Sequence, residues 1–462
     1  MRHEECQITV VDYSETHINI HELDNASLIK FLEKPQEDWV KCRWINVNGI
    51  SWDVVQALAQ NKHLHTLAVE DVITANNRTK ADWYSEHTYI IMTLQKLVHR
   101  EMFDLEIKES DSEDATIRPG SSGGFLKSLW GWGNDTTEET EDDFIKRHTE
   151  LVPPKSAHKL RTIQSYVGGH NHERAAYLEK HSALTKKNLA VSAEQVSMFL
   201  TNDNTVIAFF EHSADDLETP ILKRLNSPDT ILRESCDASM LLQALIDGII
   251  DLALPIATSY QEIIGELELN VLTEPSITHT TNLYILTSEM TKIRNFVSPA
   301  LNLISALREH KEPAIRSVHG DMRKGSGVTI SPLAQTYFGD VEDHIVLITD
   351  SLDSMRHACD NMIDLIFNTI AAFQNESMKQ LTVVTIIFLP LSFMTGYFGM
   401  NIVDFPSIHH NESYFWIVAA PVGIAVALFL MKDILKWYFT RIIQRRLISK
   451  NRKGRLLKEK NT

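Results

Sequence analysis

At 462 residues the chain is longer than one ordinary soluble core requires, so more than one structural unit is expected. Its 45 Lys/Arg against 61 Asp/Glu leave a net charge of −16, which excludes a general nucleic-acid binder. The four cysteines, Cys6, Cys42, Cys236 and Cys359, form no C-x-x-C pair, so neither a zinc knuckle nor a disulfide framework is indicated and buried thiols are expected.

The opening MRHEECQITV is polar and lacks the apolar stretch of a secretory signal. Residues 7–12, 39–48, 88–99 and 205–211 are β-branched and apolar and read as strands, while 52–61 and 64–73 read as short helices. Residues 1–231 are therefore predicted to form an α/β domain. The segment 107–150 interrupts it: acidic, rich in Gly and Ser and poor in core residues, it reads as a largely disordered insert. FLKSLWGWG inside it reads as a loosely packed loop, with contact to a partner or a bilayer surface as the alternative. His170, His172 and Glu173 in GGHNHE carry metal-binding side chains, but a solvated loop is favoured there.

From residue 232 to 379 the pattern is helical, and a coiled-coil stalk is predicted. Residues 238–272 read as one long amphipathic helix and 280–310 as a second. Ser331-Pro332 supplies an N-cap and a first-turn proline for a third. Along that third helix Val341, Ile345, Ile348, Leu352, Met355, Cys359, Met362 and Ile366 alternate in steps of four and three, a heptad seam. A second stripe, Asp364, Asn375, Met378, Thr385, Leu389 and Ser392, passes from polar into apolar surroundings. No breaker follows until Pro390, so the helix is expected to run from 332 to about 400, roughly 100 Å at 1.5 Å per residue.

Two uncharged runs, 380–403 and 413–431, are each long enough to cross a bilayer. Beyond them, 432–462 holds eleven Lys/Arg against two acids, a net +9, which leaves −25 for the first 431 residues. Trp437, Tyr438 and Phe439 beside these bases read as an interfacial anchor. The positive-inside rule places the tail in the cytoplasm, and two crossings return the N-terminus there as well, leaving 404–412 as an external loop. The expected location is the cell's inner membrane, multi-pass, with both termini cytoplasmic.

The first run ends LPLSFMTGYFGMNIVDFP. This Gly-Met-Asn at the outer end of the first of two C-terminal spans, with YFGDVEDH (337–344), the run 375–401, the basic tail and LAVEDVI (67–73), resembles the CorA family of magnesium transporters. The resemblance covers most of the chain outside roughly 100–185. It departs from the family in having Phe398 where a Tyr usually precedes the Gly, with Tyr397 one place earlier. The external loop reads IVDFPSIHHNE rather than the common acidic Met-Pro-Glu-Leu.

The resemblance implies a homopentameric funnel: an α/β cytoplasmic domain, a long helical stalk and two transmembrane helices, the first lining a pore. It implies a selectivity filter of Gly399, Met400 and Asn401, five Asn401 amide oxygens holding a magnesium ion that keeps its water shell. Gly399 and Gly396 would allow backbone turns and close approach. Below the filter, Ser392, Thr385, Asn375 and Asp364 would be polar rings, and Leu389, Leu381 and Met378 apolar constrictions. It also implies a regulatory cation between Asp340 and Asp71 of neighbouring subunits. His409 and His410 suit cobalt, nickel or zinc, though exposed histidines without a ligand role are favoured.

Magnesium is thus the expected cargo and effector, with cobalt, nickel or zinc as alternative cargo. No GxxxxGK[ST] occurs, so no ATP drive is apparent, and no nucleophile–base pair suggests an enzyme. A zinc, cobalt or nickel transporter of the same superfamily and a non-conducting coiled-coil scaffold remain as alternatives.

Overall fold

The computed structural model describes residues 3–74, 77–100, 161–168, 172–310, 327–400 and 413–426, with a few positions from 428 to 440. The 107–150 insert, His170, Asn401, His409 and His410 lie outside the described residues. The chain divides into two compact units, Met1–Asp364 and Leu365–Thr462.

The first unit is built on a seven-stranded sheet in the order β2-β1-β3-β7-β6-β5-β4. Its strands are β1 (Gln7–Tyr13), β2 (Ile18–Leu23), β3 (Cys42–Asn48), β4 (Lys80–Trp83), β5 (His87–His99), β6 (Leu189–Thr201) and β7 (Thr205–Phe210). Only β3 and β7 run parallel; the other neighbours are antiparallel. β3 and β7 are buried along their whole length, as central strands covered on both faces must be.

On one face lie α1 (Asn25–Leu32), α2 (Trp52–Asn61) and α3 (Thr66–Thr74). Leu28, Val54, Leu58, Ala68 and Val72 of these helices join Ile8, Val10, Ile45, Val47, Tyr89 and Phe209 of the sheet in one apolar core. α1 starts where Asp24 accepts a 2.8 Å hydrogen bond from the Ser27 backbone N–H. Two short helices follow, α4 (Ile163–Gly168) and α5 (His172–Lys180), then α6 (Ala214–Asn226), α7 (Ile231–Ser235) and α8 (Ala238–Asp251). α6 contacts β3, and α8 contacts β3, β5, β6 and β7. Eleven of the fourteen α8 residues are buried, and in the apolar stretch that α8 opens, 67% of the most apolar window lies inside the protein. Despite its length and composition, that stretch belongs to a protein core.

The four strands expected from sequence are present within a few residues, as are α2 and α3. Two long helices are not continuous. The first is interrupted at Leu252-Ala253 and resumes as α9 (Leu254–Thr273), because Pro255 has no N–H to continue the ladder. The second divides at Ser298 into α10 (Ile277–Val297) and α11 (Pro299–Glu309), for the same reason at Pro299.

The third helix, α12 (Pro332–Phe398), is one element of 67 residues, or ~100 Å. Ser331 caps it, its Oγ accepting from the Ala334 N–H at 3.2 Å. The heptad residues Val341, Ile345, Ile348, Leu352, Met355, Cys359, Met362 and Ile366 are all buried. Arg294 of α10 reaches Asp353 at 2.9 Å, and Arg308 of α11 pairs with Glu342, so polar contacts flank that seam along one side.

Candidate functional site

α12 carries the predicted pore stripe unbroken across Pro390. Asp364, Asn375, Met378, Leu381, Thr385, Leu389 and Ser392 are all exposed in the single chain, Met378, Leu381 and Leu389 by about two thirds. Its most apolar 18-residue window has none of its length buried inside the protein. A surface of this size and apolarity is stable only against lipid or other protein. Thr385 and Thr382 turn their hydroxyls back onto the carbonyls of Leu381 and Met378, at 2.9 and 2.7 Å, which satisfies them without water.

At the end of α12, Gly399 donates to the Thr395 carbonyl at 3.0 Å, and a Cβ on Gly399 would meet that oxygen at 3.1 Å. That contact lies within the last turn of the helix itself, and at Gly396 an added Cβ would meet nothing within 4 Å. Neither glycine has a left-handed backbone; among the described glycines only Gly49 does.

The second apolar helix, α13 (Ser413–Val426), packs beside this end. Phe398 contacts the rings of Tyr414 and Phe415 at centroid distances of 6.4 and 5.6 Å, and Gly423 lies beside Leu391. Phe398, the departure from the family pattern, thus serves as an aromatic anchor between two apolar helices.

The proposed sensor pair is not brought together within one chain. Asp71 lies on α3, whose last turn is fixed by Asn77 and Gln195 side chains donating to the Asp71 carbonyl at 2.8 and 3.1 Å. Its carboxylate faces Lys80 at 2.9 Å, and Lys80 also holds Asp82 at 2.7 Å. Asp340 is exposed on α12.

One helical turn beyond Asp340 the structure reveals a cluster that the sequence reading missed. His344 Nδ1 lies 3.1 Å from Asp251 and 3.8 Å from Asp247, which sit four residues apart on α8. Ligand atoms of the three lie within 4.8 Å of one another, a geometry suited to a divalent cation with oxygen and imidazole donors. Burial, reinforced by the charge of Asp251, pushes the Asp247 carboxyl up to about 6, and Asp340 acts in the same direction. The signal was present in sequence as D-x-x-x-D on one helix and D-x-x-x-H on another; only the packing of α8 on α12 joins them.

The Asp247 shift predicts a pH dependence. Between the ordinary aspartate value of 3.8 and about 6, the folded chain keeps a proton that the unfolded chain has lost. Stability therefore falls as pH rises through that window. Asp247→Asn should remove this fall, on the order of 2 kcal/mol, in denaturant titrations in chelator at about pH 4 and about pH 7. Equal slopes in wild type and variant would assign the shift elsewhere.

The model of the family described as CorA-like Mg2+ transporter protein matches residues 171–432. The chain is 22% identical over 436 residues to the cobalt/magnesium transport protein CorA of Thermotoga maritima, covering 94% of this chain and 93% of that one. It is also 22% identical over 317 residues to the putative metal ion transporter YfjQ of Bacillus subtilis, covering 67% of this chain and 90% of the relative. The complete structure of the CorA magnesium transporter from Methanocaldococcus jannaschii superposes with a TM-score of 0.56 at 12% identity, over 92% of this chain and 96% of that one, so the fold is shared.

Proposed function

Because the chain belongs to the family of CorA-like Mg2+ transporters, membrane proteins that move divalent cations, we propose that it is a magnesium channel driven by the membrane potential and closed by intracellular magnesium. The observation that carries this reading is the polar-to-apolar stripe of α12, exposed in the single chain and ending at Gly399-Met400 immediately before Asn401. A ring of such helices would place Asp364, Asn375, Thr385 and Ser392 around one axis, with Met378, Leu381 and Leu389 as constrictions able to gate by dewetting. A homopentamer is the assembly proposed. The proposed spans are 380–403 and 413–431, with 404–412 outside, the stalk at 232–379, the domain 1–231 inside, and the tail 432–462 cytoplasmic.

An inside-negative potential supplies ~2.3 kcal/mol per charge per 100 mV, about 4.6 for a divalent ion, so no chemical fuel is required. The acidic balance of the first 431 residues favours cation entry on the cytoplasmic side. A neutral filter of amide oxygens binds a hydrated ion weakly enough to release it. Cobalt is a second cargo consistent with the Thermotoga relative's name, and nickel or zinc with His409 and His410 in the loop.

The test is flux into liposomes under an imposed potential, with magnesium, cobalt, nickel and zinc compared. Magnesium uptake that follows the potential is expected. His409→Ala with His410→Ala should lower cobalt and nickel flux several-fold and spare magnesium, if imidazole nitrogens attract the softer ions. Flux of zinc alone would favour the sister transporter class, and no flux from an intact oligomer would favour the scaffold.

A further inference from the structure

A cavity of about 400 Å³ opens at the β2 edge of the sheet, between β1, β2, α1 and the loop that leads into β3. Its volume suits a small organic molecule, for which sites run ~300–1,000 Å³. Its floor is one face of the sheet. Asp12 stands opposite Asn19 of β2 and Arg43 of β3, and His21 and Leu23 follow Asn19 at the two-residue spacing that keeps side chains on one face. α1 packs on that same face, through Leu28 against Ile8 and Val10. Ser27, Lys30 and Phe31, three and four residues apart, turn one side of α1 to the cavity, and Lys34, Glu37 and Trp39 close it from the loop.

The wall is built around a buried cation. Arg43 is 7% exposed. Its Nε and Nη2 donate to the two Asp12 oxygens at 2.6 and 2.7 Å, and its guanidinium lies 5.0 Å over the Phe31 ring. These contacts fix the plane of the fork. Nη1, the third nitrogen, has no hydrogen-bond partner among the described residues. An open donor on a fixed guanidinium that is nine-tenths buried favours a ligand that brings acceptors. The two acids of the wall do not oppose such a ligand. Asp12 has both oxygens on Arg43, and Glu37 accepts from the Trp39 indole N–H. The groups left facing the cavity are donors: Arg43 Nη1, the Ser27 hydroxyl, and the ammonium groups of Lys30 and Lys34, which pair with no acid among the described residues. This cationic set stands in the 431-residue stretch whose net charge is −25, so it is no sample of the average surface.

Cationic donors alone would suit inorganic phosphate. The rings point to a larger ligand. Phe31 and Trp39 are half-buried and line the cavity. Each is flanked by an imidazole, His21 at 5.1 Å from Phe31 and His17 at 5.9 Å from Trp39. A nucleobase stacks on an aromatic ring whatever its identity, while a planar guanidinium and ammonium groups match phosphate oxygens. We propose that this cavity binds a nucleotide, its phosphates held by Arg43 Nη1, Lys30 and Lys34 and its base stacked on Trp39.

The test is calorimetric titration of the full-length protein in detergent with ADP, at constant ionic strength and in chelator, so that no divalent ion bridges ADP to the Asp247 cluster. One ADP per chain is expected, with inorganic phosphate and adenosine each binding more than about tenfold more weakly, since each makes half of the contacts. Lys30→Gln with Lys34→Gln should weaken ADP about tenfold through loss of two charge contacts. Trp39→Leu should weaken it about tenfold through loss of stacking. Lys180→Gln with Lys223→Gln removes as much charge from exposed positions outside the cavity and should leave binding unchanged. Arg43→Lys is the most direct variant but breaks the buried pair with Asp12; the lysine and tryptophan variants decide the matter if it unfolds. Undiminished binding in the Lys30/Lys34 or the Trp39 variant, equal loss in the Lys180/Lys223 control, inorganic phosphate binding as tightly as ADP, or no binding by the wild type would each overturn the proposal. Because the readout is binding, its failure leaves the transport reading intact, and failure of flux leaves this site intact.

Discussion

Asn401→Ala is expected to abolish divalent-cation influx while leaving the oligomer assembled. Asn401 follows directly on Met400, just beyond the end of α12, at the proposed mouth. Its amide supplies a neutral oxygen, the ligand type magnesium prefers, without the charge that would trap the ion. A hydrogen-bonded oxygen contributes ~1 kcal/mol net, so a ring of five would contribute ~5 kcal/mol to holding the hydrated ion. Removing the ring should weaken capture by more than a thousandfold, on the order of 10³–10⁴. Phe398, Tyr414 and Phe415 hold this end together through their own ring contacts, so its fold should persist in the variant. Asn375→Ala, 26 positions earlier on the same helix, should reduce flux only several-fold, because other oxygens of the stripe remain. Liposome flux and the sedimentation of both variants check this; wild-type flux in Asn401→Ala would remove the channel assignment.

The elements that were legible in sequence share one property: each carries its own period. QITVVD and TVIAFF announce strands because apolar and β-branched residues crowd them, and the seam from Val341 to Ile366 announces a lengthwise-packed helix. β6 carried no such signal. LAVSAEQVSMFLT mixes Glu194, Gln195 and four small residues into a strand buried between β5 and β7. Those polar groups are tolerated because they have partners that only the fold supplies. Gln195 donates to the Asp71 carbonyl and to Ser197 Oγ, while Glu194 accepts from the His212 backbone N–H at 2.8 Å. The breaks at Leu252-Ala253 and Ser298 were within reach of a closer reading, since Pro255 and Pro299 each stand in the first turn of the helix that follows.

The site divided in the same way. The stripe on α12 lies along one helix, so residue spacing alone could place it. Asp247, Asp251 and His344 lie on two helices nearly a hundred residues apart, and no spacing rule joins them. Nor could sequence foresee Lys80, which stands on β4 and already neutralises Asp71 inside the protomer. That ion pair alters what the sensor hypothesis predicts.

If a regulatory cation bridges Asp71 of one subunit and Asp340 of the next, it must compete with Lys80 for the Asp71 carboxylate. Two carboxylates drawn together repel unless a cation separates them, so magnesium bound only in the closed assembly shifts the population toward closed. Asp71→Ala with Asp340→Ala should therefore lose much of the protection that magnesium gives against proteolysis, and should conduct at magnesium levels that close the wild type. Lys80→Gln should act in the opposite sense. The Asp71–Lys80 pair is partly exposed, 25% and 41%, and such pairs contribute ~0–1 kcal/mol. Freeing Asp71 should then lower the magnesium concentration for closure by roughly two- to fivefold. Asp340→Lys offers a fixed positive charge in place of the ion and should hold the channel closed in magnesium-free buffer. It should do so more firmly with Lys80→Gln beside it, since two lysines then no longer contend for one carboxylate. The readouts are protease protection and flux, each titrated with magnesium. Full protection and normal closure in the double alanine variant would exclude Asp71 and Asp340 as the sensor, and would leave, among the described residues, the Asp247, Asp251 and His344 cluster, whose field Asp340 already shares, as a place for the ion to act.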